Sequence, residues 1–156
     1  MNRHIAKGLT MVMLVVGLAL ASAAVANGQS DRVAAQIPFD FIVADKTLRS
    51  GRYEVARATT GGEAMAIRSA DKTEAIRLAS PVQAKDGQTQ DAKLVFHRYG
   101  ETYFLSQVWP GGTSQGRQLA KSKQERGMER ELGKIAAYHG DHKPVYEVVE
   151  ILVTTR

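Results

Sequence analysis

The chain has 156 residues, with 21 Lys and Arg against 16 Asp and Glu, a formal net charge of +5. It contains no cysteine, which excludes both disulfides and a lipid-modified N-terminal cysteine. Two of the basic residues, Arg3 and Lys7, lie in the first 26 residues; removing them from the 21 leaves 19 against 16, an excess of +3. So small an excess gives no support to a nucleic-acid-binding role.

The first 26 residues have the three parts of a secretory signal peptide. Arg3 and Lys7 give a positive start, residues 9–20 form an uncharged apolar run, and Ala24–Ala26 fits the small-x-small cleavage rule. We expect cleavage after this motif, with Ala21–Ala23 as an alternative site, leaving one mature domain (27–156) that is periplasmic or secreted and has no transmembrane segment. The alternative is an uncleaved signal that tethers the domain to the inner membrane, since the run reaches about 20 apolar residues once its alanine-rich end is counted.

Beyond the signal peptide, apolar residues recur with a period of two, which is typical of β-strands. Residues 37–43 and 52–56 both alternate in this way, and Pro38 indicates an edge strand or a strand start. Two further short strands flank Ala70–Lys72, which is a hairpin signal. The polar stretch over residues 80–91 predicts a long loop.

The clearest hairpin runs from Lys93 to Trp109. Gly100 lies at the first central position of its turn, as a type II′ turn requires, and this register pairs Phe96 with Leu105 and Leu94 with Gln107. The opposite face carries residues such as His97, Tyr99, Phe104 and Ser106. Because both faces are partly apolar, we expect a helix or a second sheet to cover the hairpin on its other side.

The C-terminal part predicts one helix and one last strand. Ser122 and Glu125 have the spacing of a capping box, and an apolar stripe follows, so we place a helix at about 122–138. Residues 145–154 are β-branched and apolar, as in a strand. The chain therefore predicts a mainly β domain, a small antiparallel β-sandwich or barrel of six or seven strands with one C-terminal helix.

One short motif matches a catalytic signature. Gly112–Gly116 fits G-x-S-x-G around Ser114, and Asp141 and His142 follow in the chain order of an α/β-hydrolase triad. That motif needs a parallel sheet with alternating helices, whereas this chain predicts a single helix. Adjacent Asp and His side chains also point in different directions, so we interpret the motif as a flexible loop.

Histidines offer the only pattern that resembles a metal site. His139 and His142 flank Asp141, and imidazole and carboxylate ligands suit zinc or copper. Exposed histidines after a helix are commoner than ligands, and His97 is interpreted as a satisfied histidine on a half-buried sheet face. We therefore predict no metal site and no cofactor, with His139 and His142 as weak candidates.

A binding surface is the remaining candidate for function. The segment 117–134 carries six basic and three acidic residues, which would suit anionic lipid or a cell-wall polymer, although a solvated helix face explains the same pattern. Aromatic residues of the hairpin would add a contact surface where they are exposed. The candidate residues of this surface are His97, Tyr99, Phe104, Trp109, Arg117, Arg126 and Arg130.

Two strings in the chain resemble a family of small, signal-bearing proteins of unknown function in acidobacterial genomes. They are IPFDFIVADKTLRSGRYEV (37–55) and KLVFHRYGETYFLSQVWPGG (93–112), the second continued by GRQLAKSKQER (116–126). The chain departs from the family at Leu48–Gly51, where Leu-Pro-Ala-Gly is usual, and at Gly116–Ser122, where Gly-Arg-Glu-Leu-Pro-Lys-Ser is usual. The resemblance covers about half of the mature chain. It implies an exported β domain without catalytic residues.

Together these observations favour an exported, non-enzymatic domain that binds an envelope polymer, a lipid surface or a protein, with no role for nucleic acid. The alternative is a small extracytoplasmic hydrolase or metal-dependent enzyme that uses Ser114 or the pair His139 and His142.

Overall fold

The computed structural model describes residues 32–85, 91–139 and 144–153; the predicted signal peptide and His142 lie outside them. Within these residues the chain forms ten strands and one helix. In chain order they are β1 (Val33–Ile37), β2 (Phe41–Val43), β3 (Lys46–Leu48), β4 (Gly51–Arg57), β5 (Ala64–Ser69), β6 (Glu74–Gln83), β7 (Lys93–Tyr99), β8 (Thr102–Trp109), β9 (Gln115–Leu119), α1 (Lys123–Tyr138) and β10 (Glu147–Leu152).

The domain is mainly β with one helix near its C-terminus, as the sequence predicts, but it has more strands than the six or seven expected. The run at 37–43 is interrupted between β1 and β2, because the backbone leaves the sheet at Pro38–Asp40. Residues 80–83 belong to β6 rather than to the predicted loop, and β9 begins inside Gly112–Gly116, which the sequence predicts as a flexible loop.

The sheet is not closed, so the barrel alternative is wrong. Within the described residues, β1, β3 and β10 each pair with a single strand, namely β4, β2 and β7. Strand β6 joins the two halves of the sheet, since Glu74–Leu78 pair with β5 and Ala79–Gln83 pair with β9. The order along the main path is β1-β4-β5-β6-β9-β8-β2-β3, with β7 and β10 beyond β8.

The main core lies between the two halves of this bent sheet. It draws on Val33 and Ile37 of β1, Val55 of β4 and Ile67 of β5, together with residues of the other half. Phe96 of β7 is fully buried there. Inward-facing residues of both halves thus form one apolar layer, as in a sandwich.

The β7–β8 hairpin forms with the predicted turn. Gly100 has a φ of +61°, while Glu101 is not among the described residues with positive φ, which is the sign pattern of a type II′ turn. Phe96 pairs with Leu105 as expected, but a bulge between Val95 and Phe96 shifts the register beyond it. Leu94 therefore pairs with Val108 and not with Gln107.

Helix α1 covers the second face of this hairpin, as the two apolar faces predict. Ser122 is its N-cap and accepts a hydrogen bond from the Glu125 backbone N–H at 3.0 Å. Asp45, in the β2–β3 turn, accepts another from the Gln124 N–H at 3.1 Å. No helix within the described residues combines the length and apolar character needed to cross a membrane.

Candidate functional site

Three side chains with the composition of a hydrolase triad meet beneath the first turn of α1. His97 Nδ1 lies 2.9 Å from Glu125 Oε1, and His97 Nε2 lies 3.0 Å from Ser106 Oγ. All three are buried, with exposed fractions of 7% for His97, 3% for Ser106 and 3% for Glu125. We call this set the Ser–His–Glu row.

The fold positions each member of the row through a different element. His97 pairs with Phe104 across the β7–β8 hairpin, and Ser106 lies two residues beyond Phe104 on the same face of β8. Glu125 lies in the first turn of α1, which packs on the hairpin face that carries His97. Its backbone follows the predicted capping box, but its carboxylate is at hydrogen-bond distance from His97.

The row continues across the sheet as a directed chain of hydrogen bonds. Trp109 Nε1 donates to Gln107 Oε1 at 3.0 Å, and Gln107 Nε2 donates to Gln118 Oε1 at 2.7 Å. Gln118 Nε2 then donates to Ser106 Oγ at 3.0 Å and to the Ser106 carbonyl at 3.1 Å. With Gln118 donating, the Ser106 hydroxyl is free to donate to His97 Nε2.

One placement of the histidine proton fits this chain. With Ser106 donating to His97 Nε2, the Nδ1–H donates to the Glu125 carboxylate. Every donor in the row then has an acceptor, which is the condition for a buried polar network to rigidify its surroundings. A serine, an imidazole and a carboxylate in this order can also transfer a proton away from the serine.

Aromatic rings enclose the imidazole. The Tyr146 ring stacks on His97 with ring centroids 4.0 Å apart and an interplanar angle of 26°. Lys121 Nζ lies 5.6 Å from the centre of the same Tyr146 ring and 2.6 Å from the Glu129 carboxylate. Tyr146 is partly exposed and therefore separates His97 from solvent.

Tyr99 is the unusual residue of this region. Its hydroxyl is buried without a hydrogen-bond partner among the described residues, a costly arrangement for a phenol. Burial, and then the negative charge of Glu125, raise the pKa of the Tyr99 hydroxyl. Tyr99 is therefore neutral at physiological pH and adds no charge beside the row.

The structure does not bring the predicted binding surface together. The four hairpin residues are buried rather than exposed: His97, Tyr99, Phe104 and Trp109. They lie inside because the hairpin is covered on both faces. Trp109, for example, packs so closely on Gly116 that a Cβ there would lie 2.7 Å from the indole ring.

The three arginines of that prediction lie on two different faces. Gln118 points toward Ser106, so its neighbour Arg117 points to the opposite side of β9, next to Gly62. Arg126 and Arg130 are exposed on the outer side of α1.

The candidates of the enzyme alternative are not brought together within the described residues. Ser114 is half-buried just before β9 and donates to Gln83 Oε1 at 3.5 Å. His139 caps the C-terminal end of α1, and no group of three metal-ligating side chains occurs in the part of the chain that the structure describes.

The basic residues of α1 form a second candidate site on the opposite side of the helix. At 100° per residue, the four basic positions of α1 fall within an arc of about 80° and extend about 16 Å along the axis. All four are exposed: Lys123, Arg126, Arg130 and Lys134. We call this set the basic row.

Sequence reasoning missed three members of the Ser–His–Glu region. Ser106 shares a face with His97 in the hairpin register, which is the one signal that could have suggested it. Glu125 was assigned to the capping box, and Gln118 lay in no predicted element. The chain matches no protein-family model, no curated protein and no solved structure.

Proposed function

We propose that this protein is an exported domain that binds an anionic lipid surface through the basic row of α1. The observation that carries the proposal is the alignment of four exposed cationic side chains on one helical face. In this role the protein binds its partner without catalysing a reaction. The role agrees with the export signal expected from the sequence.

The charges of the basic row are available to a partner. Lys123, Arg130 and Lys134 form no ion pair with another described residue, and Arg126 donates to the Lys121 carbonyl, which is uncharged. The acidic residues of α1 lie elsewhere: Glu125 is buried beside His97, and Glu129 pairs with Lys121. Glu131 is exposed beside the row and reduces its net charge by one.

An exposed tyrosine next to the basic row favours lipid over a polymer. Tyr138, at the end of α1, is 88% exposed and lies about 40° around the helix from Lys134. A tyrosine places its ring among lipid headgroups while its hydroxyl stays in water. A hydrated polysaccharide offers less apolar contact to this ring.

The loss of membrane affinity expected on substitution follows from the number of positive charges removed. Each Lys or Arg near an anionic membrane contributes about 1 kcal/mol. Replacing two of the four should therefore weaken binding by about 2 kcal/mol, or roughly 30-fold. Added salt should weaken binding in the same direction, because exposed charges are screened.

Co-sedimentation with phosphatidylcholine vesicles, with and without phosphatidylglycerol, tests the proposal. We expect binding only with phosphatidylglycerol, and a roughly 30-fold loss in Arg126→Gln/Arg130→Gln. The matched control is Arg49→Gln/Lys72→Gln, which removes the same charge from exposed positions outside α1 and should bind like the wild type. Equal binding by both double variants, or binding to an anionic polysaccharide but not to vesicles, would contradict the proposal.

A further inference from the structure

We propose that Ser106 is an acylatable nucleophile and that the domain hydrolyses small acyl esters when Tyr146 moves off His97. This activity is independent of the proposed lipid binding, because the Ser–His–Glu row and the basic row lie on opposite sides of α1. It would also overturn the expectation of a non-enzymatic domain.

The geometry of the row is the one that serine activation requires. A hydroxyl becomes nucleophilic when an adjacent base accepts its proton and a third group orients that base. Ser106, His97 and Glu125 satisfy both conditions, at 3.0 Å and 2.9 Å.

Gln118 holds the serine in place. Its Nε2 donates to Ser106 Oγ at 3.0 Å and to the Ser106 carbonyl at 3.1 Å, which leaves the Ser106 hydroxyl proton to point toward His97. Gln118 is itself held by Gln107 at 2.7 Å, so its amide group is oriented before any substrate arrives.

The reaction balances with water as the second substrate. Ser106 Oγ attacks the ester carbonyl carbon while its proton passes to His97 Nε2, and the bond from that carbon to the alkoxy oxygen breaks. His97 returns the proton to the departing alcohol. Water then adds to the acyl carbon, gives its proton to His97, and the acid leaves as Ser106 recovers its hydrogen.

Access is controlled by Tyr146, whose ring stacks on His97. A surface groove of about 290 Å³ lies against this ring and is also lined by Arg98, Gly100 and Glu147. Displacing the ring would connect the groove with the imidazole. Sites for drug-sized ligands measure about 300–1,000 Å³, so this groove suits a short acyl group such as an acetyl ester.

Labelling of the full chain with a fluorophosphonate, followed by intact mass and peptide mapping, tests the proposal. We expect one adduct, on Ser106, that forms at least about 100-fold more slowly in His97→Gln. Tyr146→Ala should react faster than the wild type, because the ring that covers His97 is removed. Ser114→Ala is the matched serine control and should label normally.

Folding is checked in each variant by near-ultraviolet circular dichroism, so that a misfolded protein is not counted. An adduct on Ser114, or no adduct in folded wild type and folded Tyr146→Ala, would overturn the proposal. Hydrolysis of p-nitrophenyl acetate that Ser106→Ala abolishes would support it. Vesicle binding should persist in Ser106→Ala, so failure of the hydrolase proposal and failure of the lipid-binding proposal are separate results.

Discussion

The charged side chains on the two sides of α1 differ in burial and in pairing. On the inner side, Glu125 is 3% exposed and its carboxylate is placed to within hydrogen-bond distance of one imidazole nitrogen. On the outer side, Lys123, Arg130 and Lys134 are exposed without ion pairs among the described residues. A buried charge must be matched atom by atom, whereas exposed charges act through their number and alignment. Substitutions on the two sides should therefore differ in kind as well as in size.

The largest effect is expected on the inner side. Glu125→Ala leaves the His97 Nδ1 buried without its hydrogen-bond partner, which costs up to about 3 kcal/mol. Urea unfolding should show this loss, while Arg126→Gln/Arg130→Gln should change the free energy of unfolding by less than about 0.5 kcal/mol. If both variants lose the same stability, the contrast between the two sides does not hold.

Alanine substitutions at two glycines, one in the sheet and one on the outer side of α1, should change the stability in opposite directions. At Gly116 a Cβ would lie 2.7 Å from the Trp109 ring, so Gly116→Ala should destabilise by about 1–3 kcal/mol. At Gly127, on the outer side of α1, nothing lies within 4 Å, and Gly127→Ala should stabilise by about 1 kcal/mol. Thermal melts of the two variants measure both shifts, and the same sign in both would contradict the packing described here.

The smallest change in stability is expected at Asp45, which is exposed beside the N-terminus of α1. The hydrogen bond from the Gln124 N–H lowers the pKa of Asp45, against a smaller opposing effect of desolvation. A carboxyl whose pKa is lower in the folded state stabilises the fold above its unfolded pKa, and loses this contribution as the pH falls through the folded value. Asp45→Asn keeps a capping group but removes the charge.

We therefore expect the wild type to melt slightly above Asp45→Asn at neutral pH, with the gap closing below about pH 4. Melting curves recorded between neutral pH and pH 3 measure this gap. A gap that stays constant over that range would show that the charge of Asp45 does not interact with the helix terminus.

Particular residues explain which elements could be predicted from the sequence and which could not. The β7–β8 hairpin and the helix were predictable because Gly100 and Ser122 act through local geometry. Strand β9 was missed because Gln115–Leu119 is polar and contains a glycine, although a glycine in a strand can also mark a close approach, here to Trp109. Local sequence patterns could not predict the Ser–His–Glu row, because Glu125 contacts His97 only once α1 packs on the sheet.

The order of strands has a kinetic consequence. Strand β2 pairs in parallel with β8 through Ile42 and Phe104, and the second half of β6 pairs with β9, so both contacts join segments that are far apart along the chain. Domains dominated by such distant pairings fold slowly, because loop closure must precede the contacts that stabilise it. Slow folding would keep the newly made chain unfolded for longer, which would be compatible with the export proposed for this domain.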